Sequence, residues 1–481
     1  MGGLLLLALG LAGAGGLAYA PLPRPITLPG MEAPAPPQSE PATPYKPLEG
    51  MVDPVRVLLY QGAQPGKVRL VEASSPSFCP PPPAAGENTL WLDTQRLESG
   101  EFDLASKGGS YTLSASADSL LEWQGRPYRG ALRLERTGGR MAIVNIVPLE
   151  DYLRGVVPEE LLSNALEAVK AQAIVARTYA VARRGQTEAL WDLTATPSSQ
   201  VYGGVAAEEE ISDRAVQETQ GLILTFADQA ATQTLYHSSC GGATEGPPYV
   251  YGTPAVPYLQ SVACDDGRGG SDCQASSYAT WRAQWTGRQL GEILAKYWGK
   301  PTKSVERLEI AERGPSGRVS KLKVQLEGGE ERLLEFEDIR QALQYQRPDG
   351  SWASLPSTKF EIVAAGKVDT DPQGSDSKGA DVEQSSEPLG LPQPAPLLSL
   401  VGQPAEPAPA GQAGSQASQG EEAPALKEGE ILLIGHGWGH GLGLCQWGAM
   451  GMARRGLDCL QILERYYPGT QVGRAADWAQ P

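Results

Sequence analysis

Apolar residues fall into short runs in the first third of the chain and into one long alanine-rich stretch after it. Val55-Arg56-Val57-Leu58-Leu59 and Lys67-Val68-Arg69-Leu70-Val71 are brief and rich in branched residues, which predicts strands. Ala131-Leu132-Arg133-Leu134 and Met141-Ala142-Ile143-Val144 flank Thr137-Gly138-Gly139, the pattern of a hairpin. Asn164-Ala165-Leu166-Glu167 reads as a capping-box variant, opening a helix that Gly185 can end. Ala165, Ala168, Ala171, Ala173, Ala176, Ala180 and Ala182 give that helix small side chains nearly all round. This suits burial against neighbours, since a solvent-facing helix would show a polar stripe. Strand and turn patterns resume at Gly221-Leu222-Ile223-Leu224 and continue, with helical breaks, to Val368. Residues 369–427 have no periodic apolar face, which predicts disorder. The predicted fold class is α+β: a mixed β-rich domain with an alanine-rich buried helix and a disordered internal insertion.

The same pattern divides the chain into 1–20, 21–50, 51–127, 128–368, 369–427 and 428–475, with 128–368 and 428–475 as two parts of one domain. Residues 2–18 are uncharged, and the apolar run from Leu4 to Leu17 ends in Ala18-Tyr19-Ala20. That is the core and small-residue cleavage site of a secretory signal, or else an uncleaved N-terminal anchor. Either way the chain is expected outside the cytoplasm: secreted, periplasmic or wall-associated. Residues 21–50 hold ten prolines and read as a semi-rigid spacer, and a β-rich region is expected over 51–127.

A formal net charge of -16 argues against nucleic acid or an anionic membrane surface as partner. Residues 369–427 account for much of it, with nine acidic side chains and two lysines. Cys79, Cys240, Cys264, Cys273, Cys445 and Cys459 form an even set, for which disulfides are the default in an exported chain. Cys264 with Cys273 and Cys445 with Cys459 are the pairs with the shortest separations.

The three histidines, His237, His436 and His440, lie in glycine-flanked segments. Gly435-His436-Gly437-Trp438-Gly439-His440-Gly441-Leu442-Gly443-Leu444 alternates glycine with larger residues. As a strand it would present His436, Trp438, His440, Leu442 and Leu444 on one face. The two imidazoles would then stand roughly 13 Å apart at 3.3 Å per residue, too far to share one metal ion. Tyr236-His237-Ser238-Ser239-Cys240-Gly241-Gly242 places serine beside histidine, yet adjacency in sequence makes no triad. His237 with Cys240, Cys264 and Cys273 would be a zinc set of no compact spacing, so disulfides are the simpler account and no cofactor is expected. Glu160, in Pro158-Glu159-Glu160-Leu161-Leu162, falls just before the alanine-rich helix, where a carboxylate also suits the helix dipole.

Several segments together resemble the SpoIID/LytB family. They are Tyr128-Arg129-Gly130, the run from Pro148 to Val157, the run from Lys170 to Ala180, Ser199-Gln200-Val201-Tyr202-Gly203, the His237 segment, and the run from Gly437 to Ala449. The resemblance spans about residues 128–475, interrupted by 369–427. It implies action on peptidoglycan glycan strands as a lytic transglycosylase, with Glu160 as the single acid/base. Glu159 stands where that family has a small residue and Leu161-Leu162 where it has Met-Pro. The resemblance also implies that glycan meets Arg177, Tyr179, Gln200, Tyr202, His237, Ser239, Trp438, His440 and Gln446. Such an acid needs a raised pKa, which apolar Val156, Val157 and Leu161 could supply. Two rival readings stay open: a non-catalytic wall-binding enhancer of a cell-wall amidase, and a zinc hydrolase, since some relatives bind zinc through His and Cys. Peptidoglycan, and an amidase under the first rival, are the partners implied.

Overall fold

The computed structural model describes residues 54–62, short strands between 67 and 114, residues 119–364 with brief gaps, residues 367–368, and residues 429–474. The signal-like segment, the proline-rich spacer, Cys79 and the low-complexity stretch lie outside the described residues.

The structure is α+β. The hairpin forms as the pattern predicts: Ala131–Thr137 runs antiparallel to Arg140–Val147, with Thr137 opposite Arg140. These strands sit at the centre of a six-stranded sheet in the order Leu193–Thr194, Val55–Gly62, Arg140–Val147, Ala131–Thr137, Tyr111–Ser114, Thr89–Trp91. Val55, Val57, Leu113 and Trp123 share one apolar core with the hairpin and with the helices that follow.

Two helices cross that core. Helix α1 spans Leu149–Glu160 and helix α2 spans Leu166–Arg183. The alanine-rich α2 is covered on nearly every side, by α1, by α3 (Glu210–Glu218), and by the C-terminal helices Gln446–Arg454 and Cys459–Tyr466. Alanine permits this because several backbones can approach one helix closely. The expected capping box is absent: Ala165 is the N-cap, and Ser163 Oγ accepts from the Ala165 amide at 3.1 Å. At the other end Gly185 takes the left-handed conformation (φ +67°) just past the last turn.

The described residues hold two apolar cores. The second is built from Trp281, Trp285, Leu290, Leu294, Leu322, Val324, Phe360 and Leu433. Its central strand, Glu430–Gly435, pairs antiparallel with both Trp281–Thr286 and Phe360–Ala364. Thus the chain before and after residues 369–427 meets in one sheet. No helix among the described residues is long and apolar enough to cross a membrane.

Candidate active site

Glu160 is the last residue of α1, followed by Leu161 as the C-cap. This corrects the sequence reading, which set it at the start of α2 where the dipole would favour a carboxylate. At a helix C-terminus the backbone carbonyls oppose negative charge instead. The residue is half-buried, and burial pushes its carboxyl up to about 7. The Val201 amide and the Tyr236 hydroxyl pull it back toward the ordinary range, while Glu159 adds to the rise. No cation pairs with Glu160 among the described residues.

The donors around this carboxyl form a directed chain. The Val201 amide donates to Glu160 Oε1 at 2.9 Å. Tyr152 donates to Gln200 Oε1 at 3.3 Å, and Gln200 Nε2 donates to the Tyr236 oxygen at 3.3 Å. Burial holds the Tyr152 and Tyr236 phenols well above the usual range, so both remain neutral donors. Behind the carboxyl, Gln446 Nε2 donates to the Glu160 carbonyl at 2.8 Å and tethers the end of α1 to the C-terminal segment. Glu159 points elsewhere, toward Gly203 and Ala207.

The glycine-alternating segment is not a strand. Regular pairing stops at Gly435 and resumes at Leu444–Cys445, and between them Gly437, Gly439, Gly441 and Gly443 all have φ between +66° and +103°. Alternating left-handed residues coil the chain instead of extending it. The coil wraps the His237 segment. Trp438 and Ser239 exchange backbone hydrogen bonds at 2.8 and 3.0 Å, and Tyr236–His237 pairs parallel with Leu444–Cys445. At Gly441 a Cβ would collide with the Arg318 guanidinium, so glycine is required there for space as well as conformation.

His237 and His440 consequently meet, with ring centroids 5.5 Å apart. His440 Nδ1 accepts from the Leu442 amide at 2.9 Å, and His237 Nδ1 lies 3.1 Å from the Leu442 carbonyl. Burial drives His237 down to about 3 and His440 well below the usual imidazole range, with nearby cationic Arg318 adding to both effects. Both rings are neutral. His436 is separate, its Nδ1 2.7 Å from the Ala279 carbonyl.

Most residues expected along the glycan are buried. Arg177 is fully enclosed and grips Glu150 through two bonds of 2.8 and 2.7 Å, the geometry of a core ion pair. Tyr202 donates to Asn145 at 2.9 Å inside the core, and Tyr179 lies beneath the Arg183 guanidinium. Gln200, His237, Ser239, His440 and Gln446 are buried as well. Trp438 is half-buried, its ring edge against Tyr278. Sequence reasoning overlooked Tyr152, Tyr236 and the Val201 amide, although all three lie inside segments it singled out. Leu162, two residues after Glu160, is 45% exposed, and Trp447 beside Gln446 is half-buried.

The expected disulfides are absent among the described cysteines, all five of which are free. Cys445 is not beside Cys459; it lies with Cys240, Cys264 and Cys273. Backbone topology explains the difference, because parallel pairing of His237 with Cys445 sets the two segments side by side.

Parts of the chain are similar to known proteins. Residues 137–226, which contain α1, Glu160 and α2, match the family described as Stage II sporulation protein. Residues 250–380 match a family described only as a domain of unknown function. The chain is 27% identical over 351 residues to an uncharacterized protein of Brachyspira hyodysenteriae, covering 72% of this chain and 73% of that one. It is 26% identical to the Amidase enhancer of Bacillus subtilis, over 66% of this chain and 40% of the enhancer. It is also 26% identical to the Stage II sporulation protein D of Bacillus subtilis, over 69% of this chain and 76% of that protein. The family that these comparisons support for the chain is SpoIID/LytB, through residues 137–226 and through the relatives named for it.

Proposed function

We propose that this protein acts on bacterial cell wall outside the cytoplasm, as a lytic transglycosylase with Glu160 as its only acid/base. The observation that supports this most is a half-buried carboxyl held near pKa 7, with no pairing cation among the described residues and a fixed set of neutral donors. In the reaction, protonated Glu160 gives its proton to the glycosidic oxygen as the bond from that oxygen to the sugar C1 breaks. The sugar's own 6-hydroxyl oxygen then bonds to C1, and Glu160 takes the hydroxyl proton. The products are a free 4-hydroxyl end and a 1,6-anhydro ring, and the glutamic acid is restored. No second carboxylate is needed, unlike glycoside hydrolysis. Leu162, Trp438 and Trp447 are partly exposed apolar surfaces in or beside these motifs, suited to sugar faces.

The acid must start protonated, so kcat/KM should be level below pH 7 and fall about tenfold per pH unit above it. Tyr236→Phe removes a donor that favours the charged carboxylate, and should move this alkaline limb upward. A limb unmoved by Tyr236→Phe would detach Tyr236 from Glu160. A second reading, a wall-binding enhancer of an amidase, is favoured by the named relative that shares 26% identity over 66% of this chain. Mass spectrometry of digested glycan separates the two. Anhydro-muropeptides support the transglycosylase, reducing ends indicate a hydrolase, and no new ends indicate an enhancer.

A further inference from the structure

We propose that Cys240, Cys264, Cys273 and Cys445 form a closed tetrathiolate site for one zinc ion, which fastens the loops around the candidate active site. Their four Sγ atoms all lie within 4.8 Å of one another, and Cys240 Sγ is 3.6 Å from Cys273 Sγ. A tetrahedral zinc with bonds of about 2.3 Å places its sulfurs roughly 3.8 Å apart. Each sulfur therefore has three sulfur neighbours, where a disulfide would give it one partner at bonding distance. The residues come from three separated stretches, and all four are at most 2% exposed. Cys459, the remaining described cysteine, lies elsewhere, with its amide on Glu167.

Backbone amides and hydroxyls reach three of the four sulfurs. Cys445 is the N-cap of the helix Gln446–Arg454, and its sulfur accepts from the Cys240 and Gly448 amides at 3.2 and 3.3 Å. The Tyr466 hydroxyl lies 3.1 Å from Cys264 Sγ, and the Ser271 hydroxyl 3.2 Å from Cys273 Sγ. Hydrogen bonds of this kind to the ligand atoms hold the ligands of metal sites in place. At Gly448 a Cβ would press on the sulfurs of Cys264 and Cys445, so the helix carries glycine where the cluster approaches it.

Charge balance agrees. Four thiolates around Zn²⁺ leave two negative charges in a buried place. Arg318 is fully buried, donates to the Cys240 carbonyl at 3.1 Å and the Gly439 carbonyl at 3.2 Å, and forms no ion pair with a carboxylate among the described residues. Half-buried Lys359 lies on the other side of this turn, by Gly242. A buried guanidinium without a carboxylate is costly, and an anionic metal cluster offsets that cost. Each of the four thiols releases its proton as it binds. With every position filled by sulfur no water can bind the ion, so the site is structural. It joins the His237 segment, the 264–273 loop and the start of the C-terminal helix that carries Gln446.

The test uses the full chain purified without chelator. Elemental analysis should find about one zinc per chain. These four cysteines should resist alkylation until the metal is removed, then react without any reductant. Replacement by cobalt should give the thiolate charge-transfer and strong ligand-field bands of a tetrahedral sulfur site. Cys459→Ser should keep the metal, and Cys273→Ser should lose most of it. If Cys273→Ser does not fold, the alkylation pattern and cobalt spectrum of the unaltered chain still decide. A metal-free protein whose four cysteines react only after reduction would overturn the proposal, as would a zinc ion retained by Cys273→Ser and lost from Cys459→Ser.

Discussion

Glu160→Gln is expected to lower glycan cleavage by about 10²–10⁴-fold, the range of a positioned general acid, while the protein stays folded. The amide keeps the shape and still accepts from the Val201 amide, but it has no acidic proton to give. Stability should move the other way at high pH. The folded carboxyl titrates at about 7 against an ordinary 4.5. Between these values the unfolded chain releases a proton that the folded chain keeps. The contribution of this group is therefore fully present below pH 4.5 and lost as pH rises through 7. At pH 8 the wild type carries about 2–3 kcal/mol of strain from this charge. Glutamine does not ionise, so the variant should match the wild type near pH 4 and melt higher at pH 8. Other groups with raised values, such as Asp151 at about 6, are common to both proteins and cancel in the comparison. Inactivity joined to added stability cannot be a folding defect. Full activity in the variant would remove Glu160 from the mechanism and bring Glu159 forward, despite its orientation toward Gly203.

What was legible in the sequence follows from how local each signal is. The hairpin at Thr137-Gly138-Gly139 and the buried α2 depend on neighbours within a few residues, and both formed as read. Helix α1 was missed, because Pro158 and Gly155 interrupt its periodic pattern and its stability comes from Val156, Val157 and Tyr152 in the core. Missing it reversed the electrostatics assigned to Glu160. The glycine alternation was read with the right period and the wrong conformation. Period two fits a strand, but glycine also makes alternating left-handed backbone available, and contacts with Arg318 and Ser239 chose that form. The cysteine cluster was legible only in part: Cys240, Cys264 and Cys273 were weighed with His237 as a zinc set, and Cys445 was left out of it. The cluster depends on pairing His237 with Cys445, residues more than two hundred positions apart, and no local spacing encodes that. Arg318, which buttresses the same loops, carried no signal in the sequence at all.

The largest stability effect is expected at Arg177. Its guanidinium is wholly buried, its partner Glu150 is 4% exposed, and the pair is joined by two short bonds. Arg177 also donates to the Val216 and Leu222 carbonyls at 3.3 and 3.1 Å, tying α2 to the end of α3 and the strand after it. Arg177→Met fits similar volume but leaves Glu150 as an uncompensated charge in a core, which should cost about 3–5 kcal/mol in urea denaturation. Adding Glu150→Gln removes that charge while keeping an acceptor for the Gly221 amide. The double variant should regain a large part of the loss, although the two carbonyls remain without their donor. This cycle separates the core role from the glycan contact implied by family resemblance. A residue touching substrate would change KM with little change in stability, and neutralising Glu150 would not restore it. If Arg177→Met lowers stability by less than about 1 kcal/mol yet weakens glycan cleavage, the ion pair is incidental and Arg177 belongs to the binding surface.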